Sequence, residues 1–333
     1  MDSAGDCYRS AILRVLYTAS QRRQILPMPL VSIIMNVRNG AAFMREALDS
    51  VMAQTFTDWE LIVWDDCSTD DSSAIVAAYA DPRVRYFLSP EETPLGQARN
   101  NAIRLATGKW LAFLDQDDLW TSTKLERQIA LADAHTGIIY GRAVLFWPSG
   151  RKREYDQAHE FTPLPEGNIF SELFRSACFI AMSSAMLRRS AVEEIGAIPE
   201  YIEMAPDYYL YIAIARGYPA RAVQEVVCWY RMHGSNLSQE SRRKVHQEVL
   251  VMIDQWAECL DPRIAAYRRR THATALALEE MRSLASAGTG IRRLFREGSV
   301  TWLLSRPFVQ AWRRMRRKVR RPYWRVSGGA QAH

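Results

Sequence analysis

Short β-rich apolar runs alternate with segments of helical apolar spacing through the first half of the chain. Residues 30–37 (LVSIIMNV) predict a strand, and apolar side chains recur at helical spacing over 41–54. Further strands are predicted at 60–64, 83–88 and 110–114, and further helices at 96–106 and 124–132. Strands that alternate with helices indicate an α/β fold built on a mostly parallel sheet with helices packed against it.

The most unusual stretch follows the predicted strand at 110–114 and reads FLDQDDLW. Asp115, Asp117 and Asp118 place three carboxylates within four residues. Neighbouring ionised carboxylates raise one another's pKa unless a positive charge lies between them. Hard oxygen ligands of this kind suit a divalent cation whose shell is completed by a diphosphate. The structural alternative is an Asp-rich turn that caps the next helix.

Other polar residues fall at the ends of neighbouring predicted strands. Asn36 ends the first strand, and Asp65 and Asp66 end the strand at 60–64. Ligands of open parallel sheets bind beyond the carboxyl ends of the strands, so this position favours a cation site over a simple turn. No GxGxxG follows the first strand and no GxxxxGK[ST] occurs, which argues against dinucleotide binding and excludes a P-loop.

The second half of the chain gives weaker signals. Residues 148–167 are polar and Pro-rich and predict a flexible connection, and 171–189 fit a helix or a strand equally well. Strands are predicted at 137–147 and 222–232, a helix at 202–216, and one or two amphipathic helices at 239–286. The longest uncharged apolar stretch, 176–187, is too short to cross a bilayer as a helix.

The cysteines and the first thirty residues both predict a cytoplasmic protein. The five cysteines are widely spaced without a CxxC pair, which predicts reduced thiols. The first thirty residues lack the basic-then-apolar order of a secretory signal, and 1–28 is interpreted as an N-terminal helical extension.

Positive charge is concentrated in the last 46 residues. Residues 288–333 carry a net charge of +11, whereas 1–287 carry −5. Aromatic side chains interleaved with arginines suit the headgroup region of an anionic membrane, and this is the predicted partner of the tail. The alternative is that the tail is a structural helix that packs on the rest of the protein. Nucleic acid is not expected as a partner, because nothing else in the chain suggests base recognition.

Four segments resemble, in order, the motifs of the inverting family 2 glycosyltransferases. They are PLVSIIMNVRNG at 29–40, WELIVWDDCSTDDS at 59–72, PLGQARNNAIRLATGKWLAFLDQDDLW at 94–120 and WYRMHGSNLS at 229–238. The resemblance implies a GT-A fold over 29–240. A nucleotide-binding half would span 29–147 and an acceptor half 148–240, followed by a C-terminal helical region at 241–333 that ends in the basic tail.

The resemblance also implies a nucleoside-diphosphate sugar as donor, with a UDP-sugar expected. Asn36 and Arg38 would line the base pocket. Asp66, together with Asp65, would accept a hydrogen bond from the pyrimidine ring. Arg99 would lie near the diphosphate or the DxD carboxylates.

The DxD residues acquire roles through the same resemblance. Asp117 would hold Mg²⁺ or Mn²⁺ on the diphosphate, and Asp115 would face the ribose and share the metal. Asp118 would share either task or cap the following helix. Arg231 and His233 resemble the segment that closes over the diphosphate, although a lone histidine is often structural.

A catalytic base is expected at the start of the predicted helix 202–216. The family's helix opens with the pattern EDYDLW, and residues 205–218 read APDYYLYIAIARGY. Asp207 matches the base, whereas Pro206 replaces its acidic neighbour and Tyr209 the second Asp. The alternative is that Asp207 is only a first-turn acid stabilised by the helix dipole.

The predicted function is therefore metal-dependent transfer of a sugar, with inversion, to a glycan or a polyprenyl-diphosphate-linked acceptor in surface polysaccharide synthesis. The enzyme would be cytoplasmic and peripheral on the inner face of the cell membrane. Two alternatives remain at this stage. One is a nucleotidyltransferase, which would use the same carboxylates for attack at phosphorus, and the other is a degenerate scaffold that binds nucleotide or lipid.

Overall fold

The computed structural model describes residues 28–154, 161–176, 178–234 and 242–286. The chain divides into two compact units after Ala273. The first unit contains the β-sheet, and the described residues of the second, 274–286, form the end of a helix. Residues 1–27 of the predicted N-terminal extension and the whole basic tail, 288–333, lie outside the described residues.

One sheet organises the described part of the first unit. Its strands are β1 (Val31–Val37), β2 (Trp59–Asp65), β3 (Val84–Leu88), β4 (Trp110–Phe113), β5 (Leu119–Trp120), β6 (Ile138–Phe146), β7 (Lys152–Glu154), β8 (Met186–Arg188) and β9 (Ala220–Arg231). They lie in the order β3-β2-β1-β4-β8-β6-β9-β5, with β7 paired to β6.

Helices connect and cover the strands. They are α1 (Met44–Met52), α2 (Ser72–Ala77), α3 (Leu95–Arg104), α4 (Lys124–Ile129), α5 (Phe170–Ser176), α6 (Arg189–Ile195), α7 (Pro206–Ala215), α8 (Arg242–Gln255) and α9 (Pro262–Ser286). Short 3-10 helices occur at Met182–Ser184 and Ala257–Cys259. Among these described helices, none has the length and apolar content that a membrane span requires.

The first four strands form the parallel part of the sheet predicted from the sequence. β1 pairs in parallel with β2 on one side and β4 on the other, and β2 pairs in parallel with β3. β1 is apolar on both faces because helices cover both sides of it, as expected for a buried parallel strand. The polar residues that follow β1, β2 and β4 therefore meet at one carboxyl edge.

The other half of the sheet is mixed rather than mostly parallel. β8 runs antiparallel to both β4 and β6, whereas β9 runs parallel to β6. β5 follows the acidic loop directly and pairs antiparallel with β9, so that Leu119 faces Trp229 and Trp120 faces Cys228. Strands of two or three residues carry too little alternation to be found in a sequence.

Two uncertain regions of the sequence acquire definite structure. The segment 171–189 is a helix, a 3-10 turn and a strand in succession, with α5, Met182–Ser184 and β8. The predicted helix at 202–216 begins later, at Pro206, because proline fits the first helical turn, where its missing N–H is not needed. The region 239–286 forms two helices, α8 and α9, over its described residues.

Helices α7 and α8 belong to the main hydrophobic core. α7 is buried on nearly every face, which matches its almost uniformly apolar sequence. α8 inserts Val249, Met252 and Ile253 into the same core. Trp256, just after α8, lies with its ring centroid 5.5 Å from that of Tyr209 on α7. The position of α7 therefore depends on a helix that lies C-terminal to the sheet.

Candidate functional site

Asp118 is the most buried carboxylate of the acidic loop. Its Oδ2 accepts a hydrogen bond from the Ser183 hydroxyl at 2.6 Å, and its Oδ1 accepts one from the Arg231 backbone N–H at 2.9 Å. Burial raises the pKa of Asp118 well above its usual range, and the charges of Asp117 and Asp115 add to this effect. The two hydrogen bonds oppose the increase. Asp118 thus holds the loop against β9.

Asp115 is half-buried and faces a buried arginine. Arg99, on α3, places Nη2 3.2 Å from Oδ1 of Asp115. Desolvation raises the pKa of Asp115, the positive charge of Arg99 opposes it, and Asp117 and Asp207 raise it further. The backbone N–H of Asp115 donates to Ser183 Oγ at 3.0 Å. Three carboxylates therefore influence one another here, and an added positive charge would be stabilised.

Asp117 contacts the histidine that follows β9. Nε2 of His233 lies 2.7 Å from Oδ2 of Asp117, and both side chains are largely buried. The His233 ring also lies 4.8 Å, centroid to centroid, from Phe43. The Asp117 carbonyl accepts a hydrogen bond from Nε of Arg231 at 2.8 Å. The residue predicted as the principal metal ligand is therefore held by both of the predicted diphosphate-closing residues.

Arg231 is buried and engaged on several sides. Its Nη2 lies 3.0 Å from Oε2 of Glu46 on α1. Its guanidinium carbon lies 4.8 Å from the Phe43 ring centroid and 4.7 Å from that of Phe146, within the range of cation–π attraction. These contacts fix the arginine against the backbone of the acidic loop, where a cation also lowers the local negative potential.

Asp207 lies in the first turn of α7 and reaches the same group of carboxylates. One of its oxygens accepts the Tyr208 backbone N–H at 2.8 Å. Its charge raises the pKa of Asp115, after the larger effect of desolvation. The Cys178 thiol also has a strongly raised pKa, first because of its burial and second because of Asp207. The predicted base thus lies close enough to Asp115 for the two charges to interact.

Asn36 is the second-last residue of β1, near the ligand edge of the sheet. Its Nδ2 is buried and has no hydrogen-bond partner among the described residues. Buried polar groups in native proteins nearly always have a partner, so an unpaired amide at the ligand edge of a sheet is a candidate ligand contact.

Arg38 is tied to the acidic loop through its backbone. Its N–H donates to Oε1 of Gln116 at 2.8 Å, and its carbonyl accepts from Nε2 of Gln116 at 3.1 Å. Its exposed guanidinium pairs with Glu92. A Cβ at Gly40 would lie 2.6 Å from Oε1 of Gln116, which explains the glycine there. These hydrogen bonds therefore join the loop after β1 to the loop after β4.

The acidic pair after β2 is bonded within the protein. Asp65 is buried and accepts hydrogen bonds from the Ser68 backbone N–H at 2.8 Å and the Tyr86 hydroxyl at 2.7 Å. Asp66 accepts from both the backbone N–H and the hydroxyl of Thr93, at 3.0 and 2.9 Å. These bonds shape the loops that precede α2 and α3. The ring contacts assigned to the pair remain predictions.

The structure thus brings together most of the predicted residues. Those around the acidic loop are Arg99, Asp115, Asp117, Asp118, Asp207, Arg231 and His233. Asn36, Arg38, Asp65 and Asp66 lie at neighbouring strand ends. The sequence reasoning missed Phe43, Glu46, Gln116 and Ser183. Two of these four residues could have been proposed from the sequence, because Gln116 lies inside FLDQDDLW and Ser183 is a polar residue in the apolar stretch 176–187.

Comparison with known proteins identifies the family. The family model described as glycosyl transferase family 2 matches residues 32–196. The Escherichia coli UDP-Glc:alpha-D-GlcNAc-diphosphoundecaprenol beta-1,3-glucosyltransferase WfaP is 32% identical over 214 residues, covering 63% of this chain and 80% of WfaP. The chain belongs to glycosyltransferase family 2. The resemblance found in the sequence motifs is confirmed.

Another relative of this family 2 member is much longer than the matched region. An uncharacterized glycosyltransferase of Rickettsia felis is 32% identical over 218 residues, which cover 64% of this chain and 36% of that protein. The matched region of this chain therefore spans about a third of that relative's length.

Solved structures confirm the GT-A fold of the family 2 domain. The mannosyltransferase PcManGT from Pyrobaculum calidifontis, solved in complex with GDP-Man and Mn²⁺, superposes with a TM-score of 0.56 at 22% identity. The match covers 92% of this chain and 90% of PcManGT.

The acidic loop of this glycosyltransferase fits a cation that arrives with a diphosphate. In the part of the chain that the structure describes, no three His, Cys, Asp or Glu side chains form a ready-made metal cage. Asp115 and Asp117 nevertheless carry carboxylates whose charges repel, and these would supply two hard oxygen ligands. Mg²⁺ is commonly bound by one or two carboxylates together with substrate phosphates. The donor set therefore suits Mg²⁺ or Mn²⁺.

Proposed function

We propose that this protein transfers a sugar, with inversion, from a nucleoside-diphosphate sugar to a glycan or polyprenyl-diphosphate-linked acceptor. The observation that carries the proposal is the acidic loop at the carboxyl edge of the sheet, where Arg99 lies 3.2 Å from Asp115 and His233 lies 2.7 Å from Asp117. Asp207, in the first turn of α7, acts electrostatically on Asp115, so a candidate base lies near two carboxylates suited to a metal diphosphate. Inverting transfer requires these two functions in one cleft.

The donor half of the site would hold a nucleotide at the carboxyl edge of β1, β2 and β4. The buried Nδ2 of Asn36 is a hydrogen-bond donor that has no acceptor among the described residues. Arg38, Asp65 and Asp66 lie at the same edge, and pyrimidine contacts are proposed for them. A UDP-sugar is the proposed donor, supported by the UDP-Glc in the name of WfaP.

The diphosphate would lie against the acidic loop. Asp117 and Asp115 would hold Mg²⁺ or Mn²⁺, which when bound neutralises charge on the departing nucleoside diphosphate. Arg99 keeps Asp115 oriented through its 3.2 Å contact. His233 holds Asp117 and lies where it could also contact a phosphate oxygen. The side chains are thus positioned before the donor binds, which reduces the reorganisation needed for catalysis.

Asp207 would act as the general base. The acceptor hydroxyl oxygen attacks the anomeric carbon, and the bond from that carbon to the diphosphate oxygen breaks on the opposite face. The hydroxyl proton moves to the Asp207 carboxylate, and the nucleoside diphosphate leaves with the bonding electron pair. A positioned base of this kind contributes a factor of about 10²–10⁴.

The proposed acceptor and location are supported by a relative and by the composition of the tail. WfaP is named for an acceptor on diphosphoundecaprenol, and a lipid-linked acceptor would place this enzyme at a membrane surface. The basic tail, 288–333, lies outside the described residues and supports such a role by composition alone. We therefore include surface polysaccharide synthesis, on the cytoplasmic face of the cell membrane, in the proposal.

Calorimetric titration with UDP, GDP, dTDP and CDP, each with Mn²⁺ and with EDTA, tests the donor site. Selective, Mn²⁺-dependent binding of one diphosphate is expected. Asp117→Asn should abolish the Mn²⁺ dependence, whereas Asp58→Asn, an exposed Asp before the amino end of β2, should bind as the wild type does. Equal affinity with and without Mn²⁺ in the wild type would refute the metal assignment.

Product analysis separates the enzyme classes. Incubation with a sugar nucleotide should release nucleoside diphosphate; release of pyrophosphate would instead indicate nucleotidyl transfer, and binding without turnover a scaffold. Asp207→Asn should keep donor affinity and lose transfer, so a fully active Asn variant would place the base elsewhere.

Deletion of residues 288–333 tests the membrane contact. The full chain should sediment with vesicles that contain phosphatidylglycerol, and the shortened chain should remain in the supernatant. Undiminished sedimentation after deletion would leave the tail without a membrane role.

A further inference from the structure

The turn that leads into α7 cannot cap its own helix. The N-cap residue is Ala205, whose methyl group accepts no hydrogen bond, and Pro206 follows at the first helical position. The backbone N–H groups of Glu203, Met204 and Ala205 precede the helix, so its carbonyls do not accept them, and they need an acceptor from another part of the protein. This turn comes immediately before Asp207.

Glu248 supplies that acceptor from the middle of α8. Its Oε1 accepts from the N–H groups of Glu203 at 3.0 Å and Met204 at 3.1 Å. Its Oε2 accepts from Met204 at 3.0 Å and Ala205 at 2.9 Å. The Glu248 side chain is 3% exposed. One buried carboxylate thus binds three successive backbone amides.

Such an arrangement holds the turn firmly. Hydrogen bonds to an ionised acceptor are about twice as strong as neutral ones, and they strengthen where water is excluded. The negative charge also lies near the amino end of α7, where the helix dipole stabilises it. α8 is itself held in the core by Val249 and Met252, which follow the glutamate in sequence.

We propose that Glu248 is a positioning residue for Asp207. The proposal rests on the proposed function, because it assumes that Asp207 is the base. The carboxylate clamps the backbone up to Ala205, two residues before the aspartate, and so sets the direction in which the first turn of α7 presents it. Small displacements of a catalytic group cost up to about 100-fold in rate. α8 would then be part of the catalytic apparatus, although it lies beyond the residues 32–196 that the family model matches.

Glu248→Gln tests the proposal with little change in shape. The glutamine side chain has one oxygen that accepts hydrogen bonds and one NH₂ group that donates them. This NH₂ group would face backbone N–H donors, so about half of the hydrogen bonds to residue 248 should be lost. Using UDP-glucose and GlcNAc-diphosphoundecaprenol as probes, we expect kcat to fall about 10- to 100-fold while KM for the donor stays within about twofold. Hydrogen exchange at Met204 and Ala205 should accelerate. Glu258→Gln, the same change at an exposed site, should alter none of these quantities.

A double-mutant cycle with Asp207→Asn separates positioning from general destabilisation. If Glu248 acts through Asp207, Glu248→Gln should not lower the residual kcat of the Asn variant further. An equal loss of kcat in both backgrounds would overturn the proposal, as would unchanged exchange at Met204 and Ala205. If Glu248→Gln does not fold, Glu248→Asp keeps the charge and should give intermediate effects.

If Asp207 is not the base, the kinetic and exchange measurements would give a different result. A fully active Asp207→Asn enzyme would show that Asp207 is not the base and would remove the catalytic consequence of the clamp. The exchange experiment needs no substrate, so it would still decide whether Glu248 holds the turn.

Discussion

Nε2 of His233 lies 2.7 Å from Oδ2 of Asp117, a contact between residues 116 positions apart. It joins the segment after β9 to the loop after β4. His233 also lies against the Phe43 ring, so its imidazole is held in place on a second side. The histidine therefore orients one oxygen of a proposed metal ligand before any donor binds.

Replacing His233 with alanine should weaken Mn²⁺-dependent binding of UDP about tenfold, because a hydrogen bond to a charged group is worth about 1.5–3 kcal/mol. Calorimetry on the variant and on His135→Ala, which changes an exposed histidine, would measure the difference. Equal affinities in the two variants would mean that the histidine does not contribute to the site.

Replacing Asp118 with asparagine should lower the free energy of unfolding by about 1–3 kcal/mol. Both carboxylate oxygens accept hydrogen bonds, from Ser183 and from the Arg231 backbone. An amide would set a donor against one of these donors. Urea unfolding would measure the loss, and Ser183→Ala should give a smaller one. A variant as stable as the wild type would show that the two bonds add nothing to stability.

Replacing Lys124 with methionine should change how stability depends on pH. The lysine is fully buried, with Nζ 2.7 Å from Oε1 of Gln128, and burial lowers its pKa to about 7. Between that value and the unfolded pKa near 10.4 the unfolded chain binds more protons, so the free energy of unfolding rises with pH.

Over the window from about pH 7 to pH 9 the lysine should add about 2 kcal/mol, a gain that Lys124→Met should lack. Lys109→Met, at an exposed site, should keep the wild-type slope. Parallel unfolding profiles for the wild type and Lys124→Met would mean that the buried amine is not deprotonated in the folded state.

Acid sensitivity is expected from His272 in α9, a buried histidine that contacts the half-buried His246 of α8. Nδ1 of His272 lies 3.0 Å from Nδ1 of His246, and burial, with the charge of Arg268, lowers the pKa of His272 to about 3. The unfolded histidine titrates near 6.5, so stability present above that pH is lost as the pH falls toward 3.

At pH 5 the loss should be about 2 kcal/mol, and His272→Gln should remove that part of the acid sensitivity. Guanidinium unfolding at pH 7 and pH 5 would measure it, with His135→Gln as the exposed control. An unchanged difference between the two pH values in His272→Gln would contradict the assignment.

The first half of the fold could be predicted from the sequence because its elements are long and periodic. β1 and α1 carry clear strand and helix patterns, and the acidic loop follows β4 directly, so Asp115 and Asp117 could be assigned to the ligand edge of the sheet. The start of α7 was predicted four residues too early, at 202, because the apolar pattern continues through a turn that is not helical.

Residues whose role depends on distant partners could not be predicted. Ser183 meets the acidic loop only because β8 inserts beside β4, and β8 is three residues long. In the sequence, Glu248 is an ordinary polar residue of an amphipathic helix. Only the structure shows that it accepts hydrogen bonds from three backbone N–H groups. The internal hydrogen bonds of Asp65 to Ser68 and Tyr86 could not be predicted either, because both partners come from other segments of the loop and sheet.

The pairing of β5 with β9 has a consequence for the order of synthesis. A ribosome completes Asp115, Asp117 and Asp118 more than a hundred residues before Arg231, whose backbone satisfies Asp118. A nascent chain or a fragment that ended at residue 196, where the family match ends, would contain the acidic loop without the strand that closes it. The donor site should therefore be incomplete in such fragments.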